Sequence, residues 1–448
     1  MATTTQQPKP EYQQHFLNIS YPFAQHQGNG ANWDADAHNH VRFVLQGVHY
    51  SLANGVRRAM IAKVPTIGFK SEPHNQSTIK IERNDTYLNN QIIAHRLAMI
   101  PINIPYPDQF DFDDYVFYLD VSNDTNTLLV VSTEHFKIKR ISTNAFLSEK
   151  ETRMLLPADP LTGEFFPIVK LKPKYYTGIE QVAEAAAAIG ANIRMAGNDT
   201  VGIKLSAKLV KSTGDENGHF SPVAACSYGN TRDPVRAAEA LAKFVETENA
   251  KNTAAGLTPY SEETLVRRFN LNEVQRWYKV DENGEPTSFD FVVESVGVIP
   301  PLICMERGFQ WLCDAIERLI GNLETGNEKA VIVRPVASLG NGFEIIIEGE
   351  DDTLGNVIQC SLIQQYASLA LEPEKRRLAS ISYFRTHPLE RRIILAIKPI
   401  DTSNIDDCVS SVFIPGCRNL ITEIKVLLGE LTNTIEYQIE AKRIVANA

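Results

Sequence analysis

Side chains able to do chemistry are scattered through this sequence, not gathered. It contains no G-x-G-x-x-G, no Walker loop, no H-E-x-x-H and no G-x-S-x-G, so no phosphate-cradling, zinc-protease or nucleophile-elbow motif is written in it. The cysteines are Cys226, Cys304, Cys313, Cys360, Cys408 and Cys417, and no two are spaced C-x2–4-C, which leaves no local zinc knuckle. The N-terminus lacks the apolar stretch of a secretory signal, so they read as free thiols and not as a disulfide framework. The acidic run EGEDD at 348–352 could be imagined as a magnesium site. Acidic side chains are, however, favoured at a helix N-terminus, and capping is the simpler account. His95 and His387 read as packed or hydrogen-bonded structural residues. What remains is the pair Arg57 and Arg58, two adjacent guanidiniums suited to planar, bidentate contacts with carboxylates or carbonyls.

Composition narrows the setting. The chain has 448 residues, 43% hydrophobic and 22% charged, enough for two or three domains with real cores. No apolar run approaches the ~20 residues of a bilayer span, so no membrane partner is expected. The formal net charge of −10 argues against a surface made to grip nucleic-acid phosphates. The basic clusters KIKR, KRR and ERR are short and offset by acids, and read as solvated faces. Partners are therefore expected to be proteins.

The arginine pair sits in a segment that the chain states twice. SLANGVRRAM runs from 51 to 60 and TLGNVIQCSL from 353 to 362, 302 positions apart (353 − 51). At about 100° per residue, with Leu52 at zero, Val56 and Met60 fall near 40° and 80°. Leu354, Ile358 and Leu362 take the same angles, and Asn54 and Asn356 share the opposite face near 200°. Each copy follows an apolar strand and a short turn, so each is a strand–turn–helix unit with one apolar stripe. The second copy has Gln359 and Cys360 where the first has Arg57 and Arg58. Only the first thus offers a guanidinium contact, which suggests that it faces a partner the second does not.

The elements that must position these helices follow from pattern and punctuation. VRFVLQGV at 41–48 reads as a strand, with Ser51 as N-cap of the helix that Pro65 ends. PTIGFKSEP, TIKIERNDTYL, DYVFYLDV, TLLVVST, EHFKIKRI, FFPIVKLKP, GIKLSAKLV and SFDFVVESVG read as strands. Helices are expected in NNQIIAHRLAMI, in two Ala-rich stretches at about 178–195 and 233–252, and in the segment from Ser261. A long helix after Pro301 carries Ile303, Phe309, Leu312, Ile316, Leu319 and Ile320 on one stripe. A last helical region from about Ile405 to Ala441 is expected to kink or break at Pro415–Gly416.

SLANGVRRAMIAKVPTI, QIIAHRLAMIPI, KLSAKLVKSTGDENGHFSPVAA and FDFVVESVGVIPP resemble the third subunit of RNA polymerase II, the archaeal D subunit and, more distantly, the N-terminal domain of bacterial α. FEIIIEGEDDTLGNVIQCSLI and SYFRTHPLERRIILAIKP resemble the eleventh subunit and archaeal subunit L. In cells these are usually two chains that form a heterodimer. Both in one polypeptide look like the arrangement in polymerases of large nucleocytoplasmic DNA viruses.

The resemblance implies an α+β fold in which two dimerisation half-modules of one chain form an intramolecular pseudo-dimer. The expected divisions are a disordered polar tail at 1–40, a first half-module at 41–72 plus 288–323, a β-rich inserted domain at 73–287, a linker at 324–341 and a second half-module at 342–448. It implies a dimerisation seam of Leu52, Val56, Met60, Leu354, Ile358 and Leu362, with Phe309, Leu312 and Ile316 from the long helix. It implies contacts to the second-largest polymerase subunit by Arg57 and Arg58 beside Asn54, and a double change of both arginines to alanine should spare folding but weaken that contact. The function implied is a non-catalytic assembly platform for the largest and second-largest subunits, with small zinc-binding subunits alongside and DNA and RNA met only through the complex. Many cellular members carry a zinc-binding cysteine cluster in the inserted domain. No cysteine precedes Cys226 here, so no zinc or other cofactor is expected in this chain. The viral look of the fusion implies the host cytoplasm, in a viral factory, or the virion, with the nucleus as the alternative. The competing reading is a stand-alone protein-interaction or nucleic-acid-binding scaffold.

Overall fold

The computed structural model describes residues 14–22, 39–125, 127–159, 162–173, 200–256, 258, 260–336, 340–400 and 404–447. The Ala-rich stretch expected to be helical at 178–195 lies outside them. In chain order the strands are β1 Phe16–Ser20, β2 His40–Gln46, β3 Pro65–Phe69, β4 Ile79–Asn84, β5 Tyr115–Asn123, β6 Leu129–Ser132, β7 Lys137–Arg140, β8 Ala145–Phe146, β9 Pro167–Leu171, β10 Val201–Thr213, β11 Val223–Asn230, β12 Ser288–Ser295, β13 Val331–Pro335, β14 Phe343–Glu348, β15 Leu378–Phe384 and β16 Arg392–Pro399. The helices used below are α1 Tyr50–Ala62, α2 Asn90–Ala98, α3 Glu149–Leu155, α4 Pro234–Ala254, α5 Glu262–Asn272, α6 Pro301–Thr325, α7 Asp352–Leu362, α8 Ile414–Asn433 and α9 Ile435–Asn447.

Two four-stranded antiparallel sheets carry the doubled segments. The first has the order β1-β2-β12-β11 and the second β13-β14-β16-β15. Phe43 of β2 pairs with Phe291 of β12, and their rings stack with centroids 5.2 Å apart. In the second sheet β14 is buried from Phe343 to Ile347 and pairs Ile345 with Leu395. This continuously buried run, apolar but for Glu344, which Arg334 pairs at 2.8 Å, suits a strand covered on both faces. One hydrophobic core runs through both sheets and through α1, α6, α7 and α8. A six-stranded sheet, β3-β10-β5-β7-β8 with β4 also on β10, encloses a second core with α2, and α4 and α5 pack a small third one.

Several expected boundaries move. Residues 16–20, read as part of a polar tail, form β1 on the edge of the first sheet; its flanks tie to the far end of the chain. The backbone N–H of His15 donates to Glu430 of α8 over 2.9 Å, and the Tyr21 hydroxyl donates to Glu440 of α9 over 2.8 Å. β3 joins the six-stranded sheet through β10, whereas β11 joins the first sheet through β12. The inserted domain therefore begins at Pro65 and ends before Val223, earlier at both ends than 73–287. The expected linker is partly structure. α6 runs to Thr325, Gly326 ends it at φ +64°, a left-handed C-cap where glycine has no Cβ penalty, and β13 starts at Val331. The N-cap of α1 is His49, whose ring accepts from the Ser51 N–H over 3.2 Å, not Ser51 itself. Pro415 does not break the last helical region: the chain is helical from Ile405 to Asn433, with Val409–Phe413 just before the proline wound as a π-helix, a local change of winding of the kind that accommodates a missing N–H.

Candidate functional site

The two doubled segments meet. α1 and α7 cross in opposite directions, so the end of one lies beside the start of the other. Arg58 Nε donates to Thr353 Oγ1 over 2.9 Å. At the middle of the crossing, a methyl built on Gly55 would lie 2.6 Å from Val357 Cγ2, so only glycine allows this approach. At the other end the side chains of Ser51 and Tyr50 lie next to the Cys360 thiol, which donates to Asn356 Oδ1 over 3.3 Å. All nine residues expected in an apolar seam lie in the shared core: Leu52, Val56, Met60, Phe309, Leu312, Ile316, Leu354, Ile358 and Leu362 are each 3% exposed or less.

The polar residues fall beside this seam. A cleft of about 220 Å³ is lined by Asn54, Arg58, Asp352, Asn356 and Tyr383, so the asparagines of both copies face one space. Arg57 Nε donates to Asn54 Oδ1 over 3.0 Å, and the guanidinium lies near Cys226 and Tyr228 of β11. The arginines are thus divided in use: Arg58 is spent on α7, and Arg57 stays on the rim. Gln359 is turned inward, accepting the Tyr383 N–H over 2.9 Å.

The acidic run is held by cations, one by one. Glu348 accepts from Arg392 at 2.7 Å, Glu350 from Arg318 at 3.4 Å and Asp352 from Arg385 at 3.1 Å. Asp351 caps α7, accepting the Thr353 N–H over 2.9 Å. Its burial would raise its pKa, but Lys63 at 2.7 Å and the Thr353 groups outweigh that and hold it below the usual carboxylate range. The capping reading of this run agrees with that geometry. No group of three or more metal-ligating side chains occurs among the described residues. His95 is exposed on α2, and His387 closes a turn by accepting the Leu389 N–H over 3.1 Å.

Three features escaped the sequence reading. Lys63, 10% exposed, bridges Asp351 and Asp215 and lies 5.1 Å from the Trp311 ring centre, joining α1, α7 and the end of β10. Its only sequence signal was a lone lysine at a helix end. Glu440 is 3% exposed and caps α6 from a distance, accepting the Leu302 N–H over 2.9 Å where Pro300 offers no side-chain cap. Burial above all pushes its pKa up to about 7, against the opposing hydrogen bonds from Tyr21, Leu302 and Ile303. The third feature was legible: Gly308-x3-Leu312-x3-Ile316-x2-Leu319-x-Gly321 in α6 returns as Gly416-x3-Leu420-x3-Ile424-x2-Leu427-x-Gly429 in α8. Gly308 lies against Met60 and Val56 of α1, and Gly416 against Leu362 of α7. Each long helix crosses its own short helix at a glycine, over equivalent residues.

The profile of the RNA polymerase Rpb3/Rpb11 dimerisation domain matches residues 42–316. The chain is 39% identical over 85 residues to the DNA-directed RNA polymerase subunit Rpo3 of Pyrococcus furiosus, covering 18% of this chain and 30% of that subunit. It is 25% identical over 312 residues to the subunit RPAC1 of the human DNA-directed RNA polymerases I and III, covering 64% of this chain and 82% of that one. A conjugation stage-specific protein of Tetrahymena thermophila is 23% identical over 308 residues, or 60% of this chain and 87% of its own length. A match over most of the chain, on a fold whose helices pack through the doubled segment, places this protein in the RNA polymerase Rpb3/Rpb11 dimerisation-domain family, as a non-catalytic assembly subunit of DNA-directed RNA polymerase.

Proposed function

We propose that this chain unites both partners of the family's dimer in one polypeptide, folded as an internal pseudo-dimer on which the largest and second-largest polymerase subunits assemble. The observation that carries this reading is a pattern of contacts. In a twofold interface residue i meets j and the second copy's j meets i. Ser51 and Thr353 are equivalents, as are Arg58 and Cys360, each pair 302 apart (353 − 51, 360 − 58). Ser51 meets Cys360, and Thr353 meets Arg58. Gly55 meets Val357, its own equivalent (357 − 55 = 302). Two unrelated amphipathic helices have no reason to obey that rule.

The second module then begins at β13, only residues 326–330 beyond α6. A join this short keeps the halves at an effective concentration on the order of millimolar or above. Small zinc-binding subunits would sit alongside, nucleic acid would be met only through the complex, and this chain itself would need no zinc. No helix among the described residues is long and apolar enough to cross a membrane. The fused arrangement favours a large nucleocytoplasmic DNA virus as source, with the host cytoplasm or the virion as location and the nucleus as the alternative.

Arg57 is the residue to test for the second-largest subunit. Arg58→Ala would also break the Thr353 contact, so the double change expected from sequence to spare folding would confuse the two roles. Arg57→Ala alone should leave the thermal midpoint within about 2 °C and weaken capture of that subunit about tenfold or more, as loss of an arginine anchor does. Co-purification at wild-type yield would remove Arg57 from the interface.

A further inference from the structure

The apolar stripes at the α1–α7 crossing do not distinguish one copy from the other. Leu52, Val56 and Met60 face a core that Leu354, Ile358 and Leu362 fill with side chains of similar size. Gly55 and Val357 differ. They are equivalents that face each other, with 2.6 Å between Val357 Cγ2 and the site of a Gly55 methyl, and Leu312 closes the pocket at 3.8 Å. Val357 is 1% exposed and has a stiff, β-branched side chain. On a twofold axis a residue packs on its own equivalent. Two first copies would set glycine on glycine and leave a gap, whereas two second copies would set valine on valine and overfill the same space.

We infer that the Gly55–Val357 pair is a specificity determinant: it directs the first segment onto the second within one chain and disfavours pairing of either segment with its counterpart in a second copy of this chain. The inference rests on the pseudo-dimer reading above. It names a knob and a hole at the one place where equivalent residues must touch.

A double-mutant cycle on the full-length chain tests it. Gly55→Val and Val357→Gly should each lower the thermal midpoint by roughly 5 °C or more. The double change keeps one glycine and one valine, so helix propensity largely cancels; it should recover more than half of the larger loss and sediment as a monomer. Should Gly55→Val fail to fold, recovery of soluble, helical protein in the double variant is the readout. Additive or worse losses in the double variant overturn the inference. A separate variant checks the pairing itself: Ser51→Cys under mild oxidation with diamide should form a disulfide to Cys360, mapped by peptide mass spectrometry. Absence of that bond in a folded chain overturns both readings, whereas a bond together with additive losses overturns the specificity inference alone.

Discussion

Glu440 shows how much one side chain can contribute to an assembly subunit. Its carboxylate is buried among α9, Tyr21 and the first turn of α6, where the free backbone N–H groups favour negative charge. Burial nevertheless wins and lifts its pKa from 4.5 to about 7. A folded-state pKa above the unfolded one means that the native state holds the proton more tightly. Its stabilising effect is full below pH 4.5 and is lost as pH rises through 7. The size is about 1.4 kcal/mol per pKa unit, or roughly 3 kcal/mol in all. Glu440→Gln keeps an acceptor for the Leu302 N–H and can donate to the Tyr21 oxygen. Urea melts between pH 5 and pH 8 should therefore show the wild type losing more stability with rising pH than the variant does. Equal slopes in the two proteins would contradict that assignment.

At the scale of elements, the glycines of the long helices divide into two kinds. Gly308 and Gly416 lie where α6 and α8 cross α1 and α7. A methyl on Gly308 would meet Met60 at 3.1 Å and the Val56 carbonyl at 3.3 Å, and one on Gly416 would meet Leu362 at 2.3 Å and Tyr366 at 2.8 Å. Gly321 and Gly429, also equivalent in the repeat, have nothing within 4 Å of an added methyl. Alanine at Gly308 or Gly416 should destabilise by about 1–3 kcal/mol through overpacking. Alanine at Gly321 or Gly429 should stabilise by about 0.4–1 kcal/mol, because glycine loses the most backbone entropy on folding. Thermal melts of the four single variants check this, and a common sign for all four would refute the close-crossing account.

For the molecule as a whole, the shared core over both sheets makes a cohesive unit of the two ends of the chain. β1, at the N-terminal end, is tied to α8 and α9 at the C-terminal end by His15 and Tyr21. The full-length protein should therefore sediment as a monomer over the micromolar range, and its two four-stranded sheets should lose amide protection together in hydrogen exchange. A tight homodimer, or protection lost in one sheet well before the other, would show that the halves are separable.

The doubled segment, the apolar stripes of α1, α6 and α7, the capping role of the acidic run and most strands could be read from residue order, because period and punctuation are local properties. The repeat in α6 and α8 was equally readable from its spacing of Gly, Leu and Ile. Partnership across distance was not. That β3 leaves its neighbours for the inserted domain's sheet, that residues 16–20 become an edge strand, and that Arg58 turns to Thr353 while Arg57 stays on the rim depend on which surfaces meet. Lys63 finds its aspartates, and Glu440 its capping role, in groups more than a hundred residues away in the sequence, since desolvation and Coulomb interactions act through space and not along the chain.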